Sequence, residues 1–388
     1  MSFSTLGVFA LADFRDQGCD SRLFSRLLGR LLAVLLSLLL ILPGLAGCQQ
    51  QRAQFADDDR LSIVCTVFAS YDWTRQILGA FSSDVSLSFL YDSGVDLHSF
   101  QPSIDDMVQI TKCDLLIYVG GESDDWLYDA IAQSSNSSLV SICLLDILGD
   151  SARYEEPSIG SGGNDGGNAV GGGDAVGSGS DKLSGNNTLG SNSAPTDIHP
   201  SSETETSTEL ELDEHVWLSL RNAQVFCLAI CEALTELDAT HAAHYTQNTT
   251  DYIARLTTLD SNYQSAVNAS AKDTILVADR FPFCYLASDY GLAYHAAFSG
   301  CSADTEASLS TIIYLADWIN QLELEVVLVT ESSNQAIART VISNTGSKDM
   351  RILVLNSMQS VTAADAAAGA NYLDLASDNL EVLKEALK

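Results

Sequence analysis

Short apolar runs alternate with helical patterns in two separate parts of this chain, and that alternation limits the folds it can adopt. Each run is rich in Val, Ile, Leu or Phe, as expected of a buried strand. The segments between the runs carry apolar residues at helical spacing, and strands that alternate with helices are typical of α/β folds with largely parallel sheets. The sequence therefore predicts two α/β lobes around eight strands, at residues 61–68, 85–91, 114–119, 138–145, 274–278, 293–298, 326–330 and 351–355.

Two segments divide this alternation into domains. Residues 151–212 are rich in Gly, Ser, Asn and acids, and such a composition buries too little apolar surface to order itself. Tyr and Leu recur at intervals of three, four and seven over residues 238–272, which predicts one long helix that bridges the lobes. We therefore expect an N-terminal lobe at 61–237 with a mobile surface insertion at 151–212, a bridging helix at 238–272 and a C-terminal lobe at 273–388.

The N-terminus carries the parts of a secretory signal. Three arginines precede an apolar run at residues 31–42, and Leu45-Ala46-Gly47-Cys48 follows. That tetrapeptide resembles the bacterial lipobox, in which the cysteine is acylated. The sequence predicts a signal peptide at 1–47, a lipid on Cys48, a tether at 48–60 and an extracytoplasmic protein anchored to a bacterial cell membrane. A single signal-anchor helix is the alternative.

Charge and cysteine content exclude several classes of site. Nineteen basic and fifty-one acidic residues give a net charge of −32, which leaves no basic surface for a nucleic acid. An acidic surface attracts cations, although it also simply favours solubility. Of the nine cysteines, seven follow Cys48, and none of them belongs to a CxxC pair. The sequence favours buried free thiols and leaves open whether one pair of cysteines is oxidised to a disulfide.

Two of the six histidines stand where a metal site can form. His98 lies in a loop after a predicted strand, where ligands collect in α/β sheets, and His215 lies where folded chain resumes after the insertion. Either residue alone is more typical of an ordinary polar position. Two neutral imidazoles that converge between lobes make half of a tetrahedral Zn²⁺ site.

The sequence around both histidines resembles a known family. Residues 96–102 read Asp-Leu-His-Ser-Phe-Gln-Pro, which is similar to the Asp-Pro-His signature of the zinc and manganese solute-binding lipoproteins of ABC importers. Residues 213–218, Asp-Glu-His-Val-Trp-Leu, resemble the second signature of that family. Further similarity covers the bridging helix, the helix at 283–290 and the last helix. The resemblance, which runs from residue 61 to the end, implies a two-lobe binding protein that holds a metal through His98 and His215.

The sequence departs from the family where the second lobe should supply ligands. The third histidine of the family corresponds to Arg280, which cannot bind a cation, and its last carboxylate corresponds to Asn356. Asp279 is the first replacement candidate, with an ion pair or a helix-start contact as the other interpretation. Glu331, at another strand end, is the second. His295 is interpreted as structural, as are His241 and His244, exposed on the bridging helix.

These observations predict a binding protein, and not an enzyme, because no HExxH or nucleophile motif is present. We expect it to capture Zn²⁺ and deliver it to the permease of an ABC importer, as a monomer attached to membrane lipid through Cys48. A Mn²⁺-binding protein of the same fold, using Asp279 and Glu331 together, is one alternative. A surface adhesin of the same family is another.

Overall fold

The computed structural model describes residues 60–94, 96–155, 211–302 and 306–388. The predicted signal peptide, Cys48, the tether and most of the predicted insertion lie outside these ranges. The predicted domain limits therefore stay predictions. None of the seven cysteines in the described ranges forms a disulfide.

The first lobe is built on a parallel sheet of four strands. Their order is β2-β1-β3-β4, and every neighbouring pair runs parallel. The strands are β1 (Ser62–Cys65), β2 (Ser86–Phe89), β3 (Leu115–Tyr118) and β4 (Val140–Cys143). Its helices are α1 (Phe68–Leu78), α2 (Ile104–Ile110), α3 (Trp126–Ala132), α4 (Leu144–Leu148) and α5 (Leu220–Leu237), with 3-10 turns at Gly79–Ser83, Leu97–Ser99, Glu122–Asp124, Gly149–Ser151 and Val216–Leu218.

A single long helix, α6 (Ala242–Ala269), joins the two lobes. Its 28 residues span about 42 Å at 1.5 Å per residue. Asn248 donates to the carbonyl of Ile77 at the end of α1, and Tyr263 donates to the carbonyl of Ala376 in the last helix. The predicted first residue of this helix, Asp238, instead ends α5, and its carboxylate accepts hydrogen bonds from the side chains of His241 and Tyr245.

The second lobe repeats the architecture of the first. Its strands are again all parallel, in the order β6-β5-β7-β8, which confirms the predicted pair of parallel sheets. They are β5 (Thr274–Phe281), β6 (Ala293–Ser299), β7 (Val326–Val329) and β8 (Arg351–Val354). The helices are α7 (Cys284–Tyr290), α8 (Leu309–Leu322), α9 (Ala336–Ser343), α10 (Ala363–Ala367) and α11 (Tyr372–Ala386). Strand β5 continues past the predicted end at residue 278, so Asp279 and Arg280 lie inside it, next to a shift in register.

Buried aromatic side chains connect the two lobes around the predicted second signature. The indole N–H of Trp217 donates to the carbonyl of Ser357 at 2.9 Å, and the hydroxyl of Tyr372 donates to the carbonyl of Trp217 at 2.6 Å. The backbone N–H of Tyr372 donates to Asp72 of α1. One continuous apolar core includes residues of both sheets, such as Ile63 and Leu328. The segment that carries His215 is thus fixed from both sides. None of the helices in the described ranges combines the length and the apolar composition that a membrane span needs.

Candidate metal centre

His98 projects from the short 3-10 turn Leu97–Ser99. Asp96 caps that turn by accepting the backbone N–H of His98 at 3.0 Å. The ring Nδ1 lies 2.8 Å from the hydroxyl of Ser123, whereas Nε2 is buried and has no hydrogen-bond partner in the described part of the chain. Burial, and then the nearby His215, lowers the pKa of His98 to about 4. The ring is therefore neutral at pH 7, the form that binds a metal.

His215 precedes the 3-10 turn Val216–Leu218 and is fully buried. Oδ1 of Asp213 accepts its backbone N–H at 2.8 Å and lies 3.0 Å from its Nδ1. Because a carboxylate only accepts, Nδ1 carries the proton and Nε2 keeps a free lone pair. Burial alone would lower the pKa of His215. The charge and hydrogen bond of Asp213 outweigh this effect, together with the charges of Asp96 and Glu155, so the net pKa is raised. Nε2 is again buried without a partner among the described residues.

The two histidines meet between the lobes. Their ring centroids are 5.4 Å apart, with the ring planes inclined at 61°. In each ring Nδ1 is engaged by a neighbouring side chain and, within the described ranges, Nε2 is not. A buried polar atom without a partner carries a desolvation cost of about 1–3 kcal/mol, so two of them side by side indicate a site made for a ligand. The carboxylate–imidazole pair of Asp213 and His215 is an arrangement that proteins use to orient metal ligands.

Glu214 lies beside the two rings. Oε1 accepts the backbone N–H of Ser123 at 2.9 Å, and Oε2, which has no hydrogen-bond partner among the described residues, lies 3.6 Å from Nδ1 of His98. Burial raises the pKa of Glu214 to about 7. Gly121 allows this approach, because a Cβ there would clash with Oε1. The site thus has a carboxyl group that can change its charge near neutral pH.

Two further groups at the site were missed by the sequence analysis. The sulfur of Cys301 and one ring nitrogen from each of His98 and His215 lie within 4.8 Å of one another. Glu155 likewise groups with Asp213 and His215 within the same limit. In the described residues these are the two clusters of His, Cys, Asp or Glu close enough to hold a metal ion. The only signal in the sequence was the position of Cys301 just after a strand of the second lobe.

The two predicted second-lobe carboxylates are occupied by other contacts. Asp279 accepts the backbone N–H of Arg280 at 2.9 Å and the hydroxyl of Thr330 at 3.1 Å. Glu331 accepts both the N–H and the hydroxyl of Ser357, at 2.7 and 2.8 Å. Neither carboxylate belongs to the two described clusters. Their assignment as metal ligands stays a prediction.

Arg280, which the resemblance places at the third histidine of the family, makes an ion pair across the lobes. Its guanidinium lies 3.2 Å from Oδ2 of Asp96, the residue that caps the turn of His98. It lines a cavity of about 130 Å³ between the lobes that Gly300 also borders. His295 lies away from both clusters: it contacts the hydroxyl of Tyr314 at 2.8 Å and stacks on Trp318.

A family model matches most of the chain, and curated relatives carry related descriptions. The family described as zinc-uptake complex component A, periplasmic, matches residues 63–386. The zinc-binding lipoprotein AdcA of Streptococcus pneumoniae strain R6 is 25% identical over 341 residues, which cover 88% of this chain and 58% of that protein. The high-affinity zinc uptake system protein ZnuA of Bacillus subtilis is 25% identical over 85% of this chain and 88% of that protein. The chain thus spans 58% of the length of the AdcA relative.

Solved structures share the fold. The Zn(II)-bound ZnuA-like domain of Streptococcus pneumoniae AdcA superposes with a TM-score of 0.58 at 22% identity, over 84% of this chain and 99% of that one. The metal-dependent lipoprotein YcdH from Bacillus subtilis gives 0.61 at 21% identity, over 85% and 100%. The family match covers most of the chain, and this protein therefore belongs to the zinc-uptake component A family of metal-binding solute-binding proteins, which are transport components and not enzymes.

Proposed function

We propose that this protein captures Zn²⁺ between its lobes, with Nε2 of His98 and Nε2 of His215 as ligands. The observation that carries the proposal is the pair of buried Nε2 atoms without hydrogen-bond partners in the described part of the chain. The Nδ1 contacts to Ser123 and Asp213 hold both rings in place, which lowers the entropy lost when a metal binds.

The chemistry of the site favours zinc over manganese. Imidazole and thiolate ligands suit Zn²⁺, whereas Mn²⁺ prefers oxygen ligands. The carboxylates that the manganese alternative needs, those of Asp279 and Glu331, accept hydrogen bonds from Thr330 and Ser357 and belong to neither described cluster of ligand atoms. The zinc-binding names of the relatives support the same choice. The surface-adhesin alternative stays a prediction.

The metal is cargo, delivered to the permease of an ABC importer by a lipid-anchored protein outside the cytoplasm. The family description, a periplasmic component of a zinc-uptake complex, supports delivery, and the lipoprotein name of one relative supports acylation. In this chain the anchor would be Cys48, after a signal peptide at 1–47. A monomer is sufficient for binding, because both proposed ligands belong to one chain.

Zinc affinity of histidine variants tests the proposal. We expect His98→Ala and His215→Ala each to raise the Kd for Zn²⁺ at least about tenfold in competition with a chromophoric chelator. His244→Ala is the matched control, because His244 is exposed on α6 and contacts Phe81 instead of the site. Unchanged affinity in both site variants would refute the zinc-site assignment.

Delivery needs a separate measurement in cells. We expect uptake of radioactive zinc at low external concentration to depend on this chain and on His215, while His244→Ala supports normal uptake. A Cys48→Ala variant should release the protein from the membrane fraction. Uptake that is equal with and without the chain would refute the transport role, and a membrane-bound Cys48→Ala protein would favour the signal-anchor alternative.

A further inference from the structure

We propose that the thiolate of Cys301 is the second lobe's ligand to the zinc ion. The proposal rests on the function proposed above. Its first support is distance: the sulfur and one ring nitrogen of each histidine lie within 4.8 Å of one another. Its second is that Nε2 of the fully buried His215 has no partner in the described part of the chain.

The distances allow a tetrahedral zinc site after a small contraction. Zinc binds sulfur at about 2.3 Å and imidazole nitrogen at about 2.0–2.1 Å, so neighbouring tetrahedral ligands lie about 3.3–3.6 Å apart. Ligand atoms within 4.8 Å must therefore approach by on the order of 1 Å.

The fold explains why the ligand comes from Cys301. Strands β5 and β6 are parallel neighbours, with Arg280 opposite Phe298 and Phe281 opposite Ser299. Cys301 lies two residues beyond Ser299, the last residue of β6, so it is at the same edge of the sheet as Arg280, one strand over. The side chain of Arg280 is committed to Asp96 by the ion pair across the lobes. Cys301 would therefore supply a ligand from the end of β6, next to β5, where the resemblance implies a histidine and the chain has Arg280.

The backbone around Cys301 is held against the site. Glu155 accepts the backbone N–H of Cys301 through Oε1 at 2.6 Å. A Cβ at Gly300 would lie 3.0 Å from that same Oε1 and 3.2 Å from Cε1 of His215, closer than most side chains tolerate. Glycine at position 300 thus permits the loop to approach the imidazole. Glu155 is a positioning residue here: its carboxylate accepts the backbone N–H of Cys301 and also hydrogen-bonds the thiol.

A thiol ligand also gives the site its metal preference. As the zinc–sulfur bond forms, the thiol proton leaves to solvent and the site gains one negative charge, which two neutral imidazoles do not provide. Thiolate is a soft ligand that selects zinc over Mn²⁺. Cys301 would therefore account for zinc capture by a second lobe in which Arg280 and Asn356 replace the usual ligands.

Zinc-edge X-ray absorption on the full-length protein tests the proposal directly. With one equivalent of Zn²⁺, we expect one sulfur neighbour at about 2.3 Å beside nitrogen and oxygen neighbours at about 2.0–2.1 Å. Cys301→Ser should lose the sulfur neighbour and raise the Kd for zinc at least about tenfold. Cys284→Ser, at the other half-buried cysteine of the described ranges, is the matched control and should retain both the sulfur neighbour and the affinity. With Co²⁺, the same comparison should remove the thiolate-to-cobalt charge-transfer absorption only in Cys301→Ser.

A second variant tests the positioning role. Glu155→Gln keeps the oxygen that accepts the Cys301 N–H, so the sulfur neighbour should persist with a smaller loss of affinity. Zinc bound through nitrogen and oxygen alone, with unchanged affinity in Cys301→Ser, would overturn this proposal and leave the proposed function standing. Failure of the wild-type protein to bind zinc would overturn both.

Discussion

Asp213 orients His215, and its replacement by asparagine isolates the effect of its charge on zinc binding. Oδ1 accepts the backbone N–H of His215 at 2.8 Å and lies 3.0 Å from its Nδ1, and the residue is almost fully buried. The asparagine side chain would retain the volume and an acceptor oxygen. It would lose the charge that makes Nε2 a better donor to a metal, and charged hydrogen bonds are about twice as strong as neutral ones. We therefore expect Asp213→Asn to weaken zinc binding about 10- to 100-fold, or about 1.4–2.8 kcal/mol.

Chelator competition measures this loss, and a histidine NMR spectrum shows whether Nδ1 of His215 still carries the proton. Asp72→Asn is the matched control: Asp72 is also a buried carboxylate that accepts a backbone N–H, from Tyr372, but it belongs to neither cluster at the site. That control should lose stability and keep its zinc affinity. If Asp213→Asn binds zinc within twofold of wild type, the carboxylate does not tune the imidazole and the reasoning fails.

Three further predictions concern pH and the framework of the site. Because the pKa of His215 is raised, its ring becomes protonated as the pH falls, and a protonated ring cannot bind a metal. Zinc affinity, measured by chelator competition between pH 8 and 5, should therefore fall as the pH is lowered through that pKa. Affinity that is constant over this range would contradict it. Gly121→Ala should lower the free energy of unfolding by about 1–3 kcal/mol in urea titrations, because φ is 81° at this residue and a Cβ would clash with Glu214. A loss under about 0.5 kcal/mol would contradict this argument from backbone strain. Tyr285→Phe removes a hydroxyl that accepts the N–H of Arg153 and donates to the carbonyl of Asp213, both at 3.0 Å. The free energy of unfolding should therefore fall by about 1–3 kcal/mol in the same assay. Tyr128→Phe, at an exposed residue, is the control and should leave it unchanged.

The parallel sheets and the two histidines could be predicted because their signals are local. Alternating apolar runs identify strands, and each histidine follows by two residues an acid that accepts its backbone N–H, although the ring partner of His98, Ser123, lies 25 residues away. Asp96 lies two residues before His98, and Asp213 two residues before His215. Local sequence therefore carried most of the information on the first lobe's half of the site.

The second lobe's half depends on contacts that a single sequence does not display. Cys301 reaches the histidines only through the packing of one lobe on the other and through the register of β5 and β6. Asp279 lies near the predicted strand end, and its carboxylate accepts a hydroxyl and an N–H, so its role as a metal ligand stays a prediction. Glu331 follows β7 as predicted, yet the backbone N–H groups of Ser357 and Ser360 bind it. The position of a residue at a strand end predicts which edge of the sheet it lies on, whereas its hydrogen-bond partners depend on how the whole fold packs.

The chain segments on either side of residues 156–210 are joined by a short antiparallel clamp. Tyr154 pairs with Leu212, the N–H of Glu155 donates to the carbonyl of Glu211 at 2.8 Å, and the N–H of Asp213 donates to the carbonyl of Arg153 at 2.7 Å. Chains this close can be joined by a turn of two residues, and each doubling of a longer connection costs only about 0.6 kcal/mol. A change in the length of the connection between Glu155 and Glu211 would therefore cost little free energy, and the clamp would still hold Glu155 and Asp213 beside His215.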